Sequence, residues 1–99
     1  MDKQVHFQKL AQMVLYSLPP EEQKKSNELV GMAAADLQNP DLAANLRLLS
    51  LPEGPVYSMK LNDKLRIIFE IRKDKLEVLD IINIGLARSY FNKPEHEEV

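Results

Sequence analysis

Lys60 and Arg66 are the two residues whose types and spacing most suggest chemistry. They lie in the segment VYSMKLNDKLRIIFE, where apolar and polar residues alternate on either side of residues 62–64. A hairpin that turns there places Lys60 directly opposite Arg66. Two cations in that position repel each other, and an anion such as a phosphate bound between them would remove that repulsion. The alternative interpretation is a solvated sheet face on which Glu70 and Glu77 offset the repulsion.

Three other residues are candidates for a site. Arg88 and Tyr90 follow the last predicted strand, after Gly85. From there they can reach back over the sheet, where a tyrosine can transfer a proton or stack on a base. The alternative is a C-terminal anchor that covers the edge of the core. Asp80 is predicted on the core face, opposite Ile67, as a structural hydrogen-bond acceptor rather than a catalytic acid.

The sequence predicts no cofactor and no metal site. His6 and His96 have no ligand spacing to another histidine or to a carboxylate motif. Cysteine is absent, which excludes a thiolate site and a disulfide framework. There is also no glycine-rich phosphate loop and no serine nucleophile elbow.

Two helices and three strands are predicted to position the basic pair. The strands cover residues 56–61, 65–71 and 76–84, and the helices run from about residue 8 to 18 and from Pro20 to before Asn39. Residues 41–51 are predicted as a short turn that packs under the sheet, with Asp41 able to cap a helical turn, and residues 52–55 as the link to the first main strand. Residues 5–7 fit either the first helix or a short N-terminal edge strand. The predicted fold class is α+β, a helical hairpin packed on a small antiparallel sheet.

Length and charge limit the class of protein. Ninety-nine residues make one domain, predicted over residues 1–94, and the acidic residues 95–99 are predicted to be a disordered tail. The net charge of -2 argues against general nucleic-acid affinity. Between residues 56 and 93, however, eight cations outnumber five anions. The absence of a transmembrane run and of a signal-peptide pattern predicts a cytoplasmic protein with no membrane contact.

Three motifs, in this order of elements, give the chain a resemblance to a known family. LYSLPPEEQKK resembles a leucine-proline turn between two helices. NPDLAANLRLLSLPEGPVYSMKLNDKLRIIFEI resembles a segment with an Asn-Pro helix end, a leucine-rich link, an aromatic-led strand and a strand with a motif arginine. LEVLDIINIG resembles a final strand. Over most of its length the chain is similar to the RelE/ParE superfamily of toxin–antitoxin toxins.

The resemblance implies a RelE-like fold and the toxin component of a type II toxin–antitoxin system. RelE-type members enter the ribosomal A site and cut mRNA, with basic residues stabilising the charge that develops as a 2′-hydroxyl attacks the adjacent phosphate. Arg66 matches the motif arginine and Lys60 a basic residue of the preceding strand. Arg88 and Tyr90 match the arginine and tyrosine near the end, and Ser58 stands where some members carry a further lysine.

The same resemblance implies roles and partners. Arg66 would stabilise phosphate charge, Lys60 would transfer a proton or give electrostatic support, Arg88 would contact the phosphate or leaving group, and Tyr90 would stack on a base or transfer a proton. The implied partners are mRNA on the ribosome and a cognate antitoxin, whose helix or strand lies across the apolar helices or the sheet edge. The alternative is a non-catalytic member, either an inhibitor of DNA gyrase or a degenerate antitoxin-binding protein.

Overall fold

The structure, a computed structural model, describes residues 3–84. Over that range the elements are β1 (Gln4–Phe7), α1 (Lys9–Ser17), α2 (Pro20–Ala35), α3 (Pro40–Ala43), β2 (Leu46–Leu51), β3 (Gly54–Lys60), β4 (Leu65–Arg72) and β5 (Lys75–Asn83). The strands form one sheet in the order β1-β5-β4-β3-β2. The predicted α+β class, with a helical hairpin against a mainly antiparallel sheet, is confirmed.

The helical hairpin turns at two prolines. Pro20 occupies the first turn of α2, where a missing N–H costs no hydrogen bond. Glu21 and Glu22 follow at the positive end of the helix dipole. The side chain of Gln23 donates from Nε2 to the carbonyl of Leu18 at 2.8 Å, and so satisfies a group at the end of α1. One α2 side chain therefore joins the two helices.

The prediction for residues 41–51 is corrected at two points. The helical turn α3 is capped by Asn39, whose Oδ1 accepts from the N–H of Asp41 at 2.9 Å, rather than by Asp41 itself. Residues 46–51 are not part of that turn but form the edge strand β2, antiparallel to β3. The sequence LRLLSL breaks strict alternation at Leu48 and Leu49, so its periodicity does not indicate a strand. Pairing with β3 supplies the hydrogen bonds that make it one.

The N-terminal edge strand is confirmed, and its direction is parallel. β1 pairs with β5 in the register Gln4 with Lys75 to Phe7 with Val78. The N–H of Gln4 donates to the carbonyl of Asp74 at 2.9 Å. β5 thereby becomes an internal strand, as its nearly continuous apolar sequence indicates.

The predicted hairpin of β3 and β4 is present with the predicted register. Met59 lies opposite Ile67, and Tyr57 opposite Phe69 with their rings stacked at a centroid distance of 5.2 Å. In the β3–β4 loop, Asn62 Oδ1 accepts from the N–H groups of Lys64 and Leu65 at 2.8 and 2.9 Å. This is the local turn chemistry for which asparagine is favoured.

The core lies between the helices and one face of the sheet. Its fully buried apolar residues come from both layers: Ala11, Val30, Ala33 and Leu42 from the helices, and Met59, Leu61, Ile67, Phe69, Leu76 and Val78 from the sheet and its β3–β4 loop. The odd-numbered residues of β4 therefore point inward. Arg66 and Ile68 point to the opposite face, which is available for a site.

Asp80 is not on the core face, so that prediction is wrong. The register of β4 and β5 passes from Ile68 with Asp80 to Phe69 with Val78, which leaves Leu79 as the extra residue of a β-bulge. The bulge reverses side-chain direction along β5. Ile81 takes the place opposite Ile67, and Asp80 lies on the same face as Arg66.

Arg88, Tyr90 and the acidic residues 95–99 lie outside the described residues, as does the predicted domain boundary at residue 94. No helix in the described range is long and apolar enough to span a membrane. Among residues 3–84 there is no cluster of three side chains suited to hold a metal ion.

Candidate functional site

The predicted pairing of Lys60 with Arg66 is present in the structure. The N–H of Leu61 donates to the carbonyl of Leu65, while the N–H of Lys60 donates the other way, to Asn45 on the β2 side. Lys60 and Arg66 are therefore a non-hydrogen-bonded pair, the kind in which opposing Cα atoms are only about 4.5 Å apart and side chains lie closest. Their charges repel at short range.

The two glutamates expected to offset this repulsion make other contacts. Glu70 and Glu77 lie directly opposite each other on β4 and β5. Glu70 Oε2 accepts from Arg72 Nε at 2.9 Å, and Glu77 Oε2 is 2.8 Å from His6 Nδ1. The hydrogen bond with His6 lowers the pKa of Glu77, with partial burial acting in the opposite direction. Neither carboxylate contacts Lys60 or Arg66, so the solvated-face interpretation loses its compensating charges.

A buried serine fixes the position of Arg66. Arg66 Nη1 donates to Ser58 Oγ at 3.0 Å, and Ser58 is only 5% exposed. Ser58 lies on β3 two residues before Lys60, so it is on the same face of the sheet. Within residues 3–84 Arg66 has no carboxylate partner. A guanidinium held on one side by a neutral acceptor retains its positive charge and free donors for an anion.

Lys60 has one ionic partner, and that partner is exposed. Lys60 Nζ lies 3.3 Å from Asp63 Oδ1, and the Asp63 side chain is 97% exposed. Exposed ion pairs contribute between about zero and 1 kcal/mol. An arriving phosphate can therefore replace Asp63 as the partner of Lys60 at little cost.

Arg47 is a third cation that the sequence did not indicate. It lies opposite Ser58 on β2, which places it on the face of Lys60 and Arg66. An open cavity of about 340 Å³ is lined by these three cations and by Asn62, Asp63 and Ile84. We call it the cationic cavity. The sequence does not point to Arg47 because residues 41–51 are predicted as a turn, in which no sheet face is assigned to their side chains. The available signal was a single cation between two leucines of that segment.

Three other residues were considered for the site from the sequence: Arg88, Tyr90 and Asp80. Arg88 and Tyr90 lie outside the described residues, but Ile84, the last described residue, lines the cationic cavity. Asp80 shares the face of Arg66, and its Oδ1 accepts from the N–H of Ile81 at 2.8 Å. The described lining contains no histidine or cysteine. Its chemistry is that of binding an anion and stabilising negative charge.

Comparison with solved structures shows what this fold is. The RelE protein of the archaeal RelE–RelB complex from Pyrococcus horikoshii OT3 superposes with a TM-score of 0.71 at 18% identity, covering 86% of this chain and 98% of that one. The RelBE2 toxin–antitoxin complex from Mycobacterium tuberculosis gives 0.65 at 16%, covering 84% and 99%. The YoeB dimer from Staphylococcus aureus gives 0.69 at 14%, covering 83% and 97%. The chain has the RelE-like fold.

The chain resembles these proteins in structure, whereas its amino-acid sequence is only distantly similar to theirs. No protein-family model and no curated protein matches the sequence. The structural neighbours are RelE and YoeB toxins, and they match nearly their whole length. The predicted resemblance to the RelE/ParE superfamily is thus confirmed at the level of the fold.

Proposed function

We propose that this chain is the toxin of a type II toxin–antitoxin pair and that it cleaves mRNA on the ribosome. The observation that carries the proposal is the cationic cavity. Arg47, Lys60 and Arg66 come from three adjacent strands to one open site, and Arg66 has no carboxylate partner among the described residues. A rigid sheet is a suitable platform for holding charges where a reacting phosphate will sit.

The proposed reaction is an attack within the RNA. The 2′-oxygen forms a bond to the adjacent phosphorus, and the bond from that phosphorus to the 5′-oxygen breaks. The products are a 2′,3′-cyclic phosphate and a 5′-hydroxyl. Negative charge increases on the phosphate oxygens during the attack, and preorganised cations stabilise that charge more than the ground state. Arg66 and Arg47 have this role.

Two protons move in this reaction. The 2′-hydroxyl loses one, and the leaving 5′-oxygen gains one. Lys60 either accepts the first as a neutral amine or stabilises the attacking oxygen as an ammonium. Arg88 is assigned to the phosphate or leaving group, and Tyr90 to base stacking or proton transfer. Both follow Ile84, which lines the cavity, within six residues.

The proposed antitoxin has two apolar surfaces available. Among the described strands β2 is one of the two edges of the sheet, and its Leu48, Leu49 and Leu51 are exposed. An extended segment can add to such an edge through main-chain hydrogen bonds. On α1, the side chains of Leu10, Met13 and Tyr16 are also exposed, at the three-residue spacing of one helical face. Among the neighbours, RelE–RelB and YoeB–YefM are described as complexes.

A second candidate function is a non-catalytic toxin that acts on DNA gyrase, or a protein that only binds an antitoxin. The observation in its favour is that the described cavity lining contains neither histidine nor glutamate, and its carboxylate, that of Asp63, is exposed and paired with Lys60. The nuclease predicts cleaved mRNA in the cell, whereas the gyrase inhibitor predicts intact mRNA and altered DNA supercoiling. One experiment therefore separates them.

The test is induced expression in a bacterial host, with mRNA cleavage sites mapped by sequencing of RNA 5′ ends. We expect growth arrest and new 5′ ends with the wild-type chain. Arg66→Ala should lower cleavage by about 10²- to 10³-fold, the usual effect of removing one charge-stabilising donor. Arg72→Ala is the matched control, because Arg72 lies on the same strand and face but outside the cavity.

Two results would contradict the nuclease proposal. One is an equally harmless wild type and Arg66→Ala, with unchanged mRNA. The other is growth arrest with intact mRNA and altered DNA supercoiling, which would support the gyrase candidate. Circular dichroism of both purified variants shows that each is folded.

A further inference from the structure

A second open cavity adjoins the cationic cavity. It also measures about 340 Å³ and lies between α2 and the β3–β4 loop. The two cavities share Lys60, Asn62 and Asp63 in their linings. They therefore adjoin, with Lys60 at the junction. We call this second cavity the α2 cavity.

The lining of the α2 cavity combines apolar and polar groups. Leu29 and Leu61 form an apolar wall that belongs to the core or packs against it. Lys25 supplies a cation from α2, and Asn45 supplies an amide. Within residues 3–84 the Asn45 side chain has no hydrogen-bond partner, although its carbonyl accepts from the N–H of Lys60. In a nucleotide, the base can pack against the apolar wall, and the edge of the base can form hydrogen bonds with the free amide. The cation can bind the phosphate.

The walls of this cavity are held in place by Asn62. Its Oδ1 accepts from two backbone N–H groups of the β3–β4 loop, and its Nδ2 donates to Glu22 Oε1 at 3.3 Å. The second bond links the loop to α2. Because both ends of this side chain are occupied, Asn62 acts as a positioning residue, and the ligand-binding groups are those of Lys25, Asn45 and Lys60.

We propose that the α2 cavity is a nucleotide subsite. In a single-stranded RNA with one phosphate in the cationic cavity, the adjacent nucleotide lies in the α2 cavity, against Leu29 and Leu61. Lys60 leaves exposed Asp63 and contacts the phosphate at the junction of the two cavities. This inference rests on the proposed RNA binding and adds the place of a second nucleotide and the residues that hold it.

The test measures binding of a fluorescein-labelled 2′-O-methyl RNA trinucleotide, which cannot be cleaved because its 2′-oxygens are blocked. Fluorescence anisotropy at low salt compares the wild type with Lys25→Ala, Asn45→Ala and Lys24→Ala. Lys24 is the matched control: it is the exposed neighbour of Lys25 on α2 and lines neither cavity. We expect Lys25→Ala and Asn45→Ala each to weaken binding about fivefold or more, the effect of losing one hydrogen bond or phosphate contact. Lys24→Ala should change it less than about twofold.

A second measurement locates the ligand directly. Backbone amide shifts in NMR spectra should change on addition of the trinucleotide at Leu29 and Asn45, as well as at Arg47 and Arg66. Equal effects of Lys24→Ala and Lys25→Ala would mean that the RNA responds to the overall positive charge of α2 and not to a residue of the cavity. That result would overturn the inference. Shifts at Arg47 and Arg66 alone, with binding unaffected by Lys25→Ala and Asn45→Ala, would overturn the subsite and leave the proposed function standing. No binding by the wild type would contradict RNA binding itself, and the subsite with it.

Discussion

Lys60 on β3 lies directly opposite Arg66 on β4, while the opposed carboxylates of the same sheet face are each paired with a different side chain. Glu70 binds Arg72, and Glu77 binds His6. Both carboxylates thus have local partners, whereas the cationic pair has one exposed aspartate and one neutral serine. The sheet carries an uncompensated positive charge at one end, which costs stability and favours anion binding.

Lys60→Gln is expected to stabilise the fold and weaken its ligand binding. Removing one of two opposed like charges should raise the free energy of unfolding by about 0.5 kcal/mol at low salt. The gain should decrease as salt screens the repulsion. Urea unfolding at two salt concentrations measures the first effect, and binding of the RNA trinucleotide the second. Lys64→Gln, which removes an exposed cation from the adjacent β3–β4 loop, is the control. A Lys60→Gln protein that is less stable at low salt would contradict the repulsion.

Ser58→Ala should weaken anion binding through Arg66. Without the Oγ acceptor at 3.0 Å, the guanidinium loses the contact that orients it. A single hydrogen bond of about 1 kcal/mol corresponds to roughly fivefold weaker RNA binding. Ser58→Thr retains a hydroxyl and should restore most of the affinity. If Ser58→Ala binds as tightly as the wild type, Arg66 is positioned by something other than this serine.

Glu77→Gln should change how stability depends on pH. The contact with His6 lowers the pKa of Glu77 in the folded chain. The ionised carboxylate therefore stabilises the fold above the unfolded value of about 4.3, and this contribution is lost as pH falls through the lower, folded pKa. The stability of the wild type relative to Glu77→Gln should fall by about 0.5 kcal/mol between pH 6 and pH 3, the size of a partly exposed pair.

Thermal unfolding across that pH range measures the Glu77 effect. His6→Ala is the second variant, and in its background Glu77→Gln should show a smaller pH dependence. A difference between wild type and Glu77→Gln that stays constant from pH 6 to pH 3 would mean that the contact with His6 does not perturb the carboxylate.

Ser26→Ala should stabilise the protein. Ser26 on α2 is fully buried, and among the described residues its hydroxyl has no hydrogen-bond partner. Replacing an unsatisfied buried hydroxyl by a methyl group removes a desolvation cost of about 1 kcal/mol, and alanine also has the higher helix propensity. Urea unfolding gives the change. Ser17→Ala is the contrasting control, because Ser17 Oγ donates to the carbonyl of Val14, and its loss should not stabilise. A less stable Ser26→Ala protein would indicate a partner for this hydroxyl.

Pattern and turn chemistry along the chain were sufficient to predict the hairpin that carries Lys60 and Arg66. Side chains alternate with a period of two in β3 and β4, and Asn62 forms the turn between them, so the register depends only on neighbouring sequence. The same local reasoning predicted the proline turn between α1 and α2. These elements are the ones whose hydrogen bonds and apolar faces are determined within a few residues.

Only the tertiary structure decided the rest of the site. β2 is a strand because β3 lies beside it, and this pairing brings Arg47 to the cationic cavity. The bulge at Leu79 arises in the pairing of β4 with β5 and moves Asp80 from the predicted core face to the face of Arg66. Glu77 is paired with His6, which is 71 residues distant in sequence. Hydrogen-bond pairing and charge compensation between remote segments leave no periodic signal in either segment. The sequence by itself therefore determined the hairpin and its opposed cations, whereas the tertiary structure determined which charges surround them.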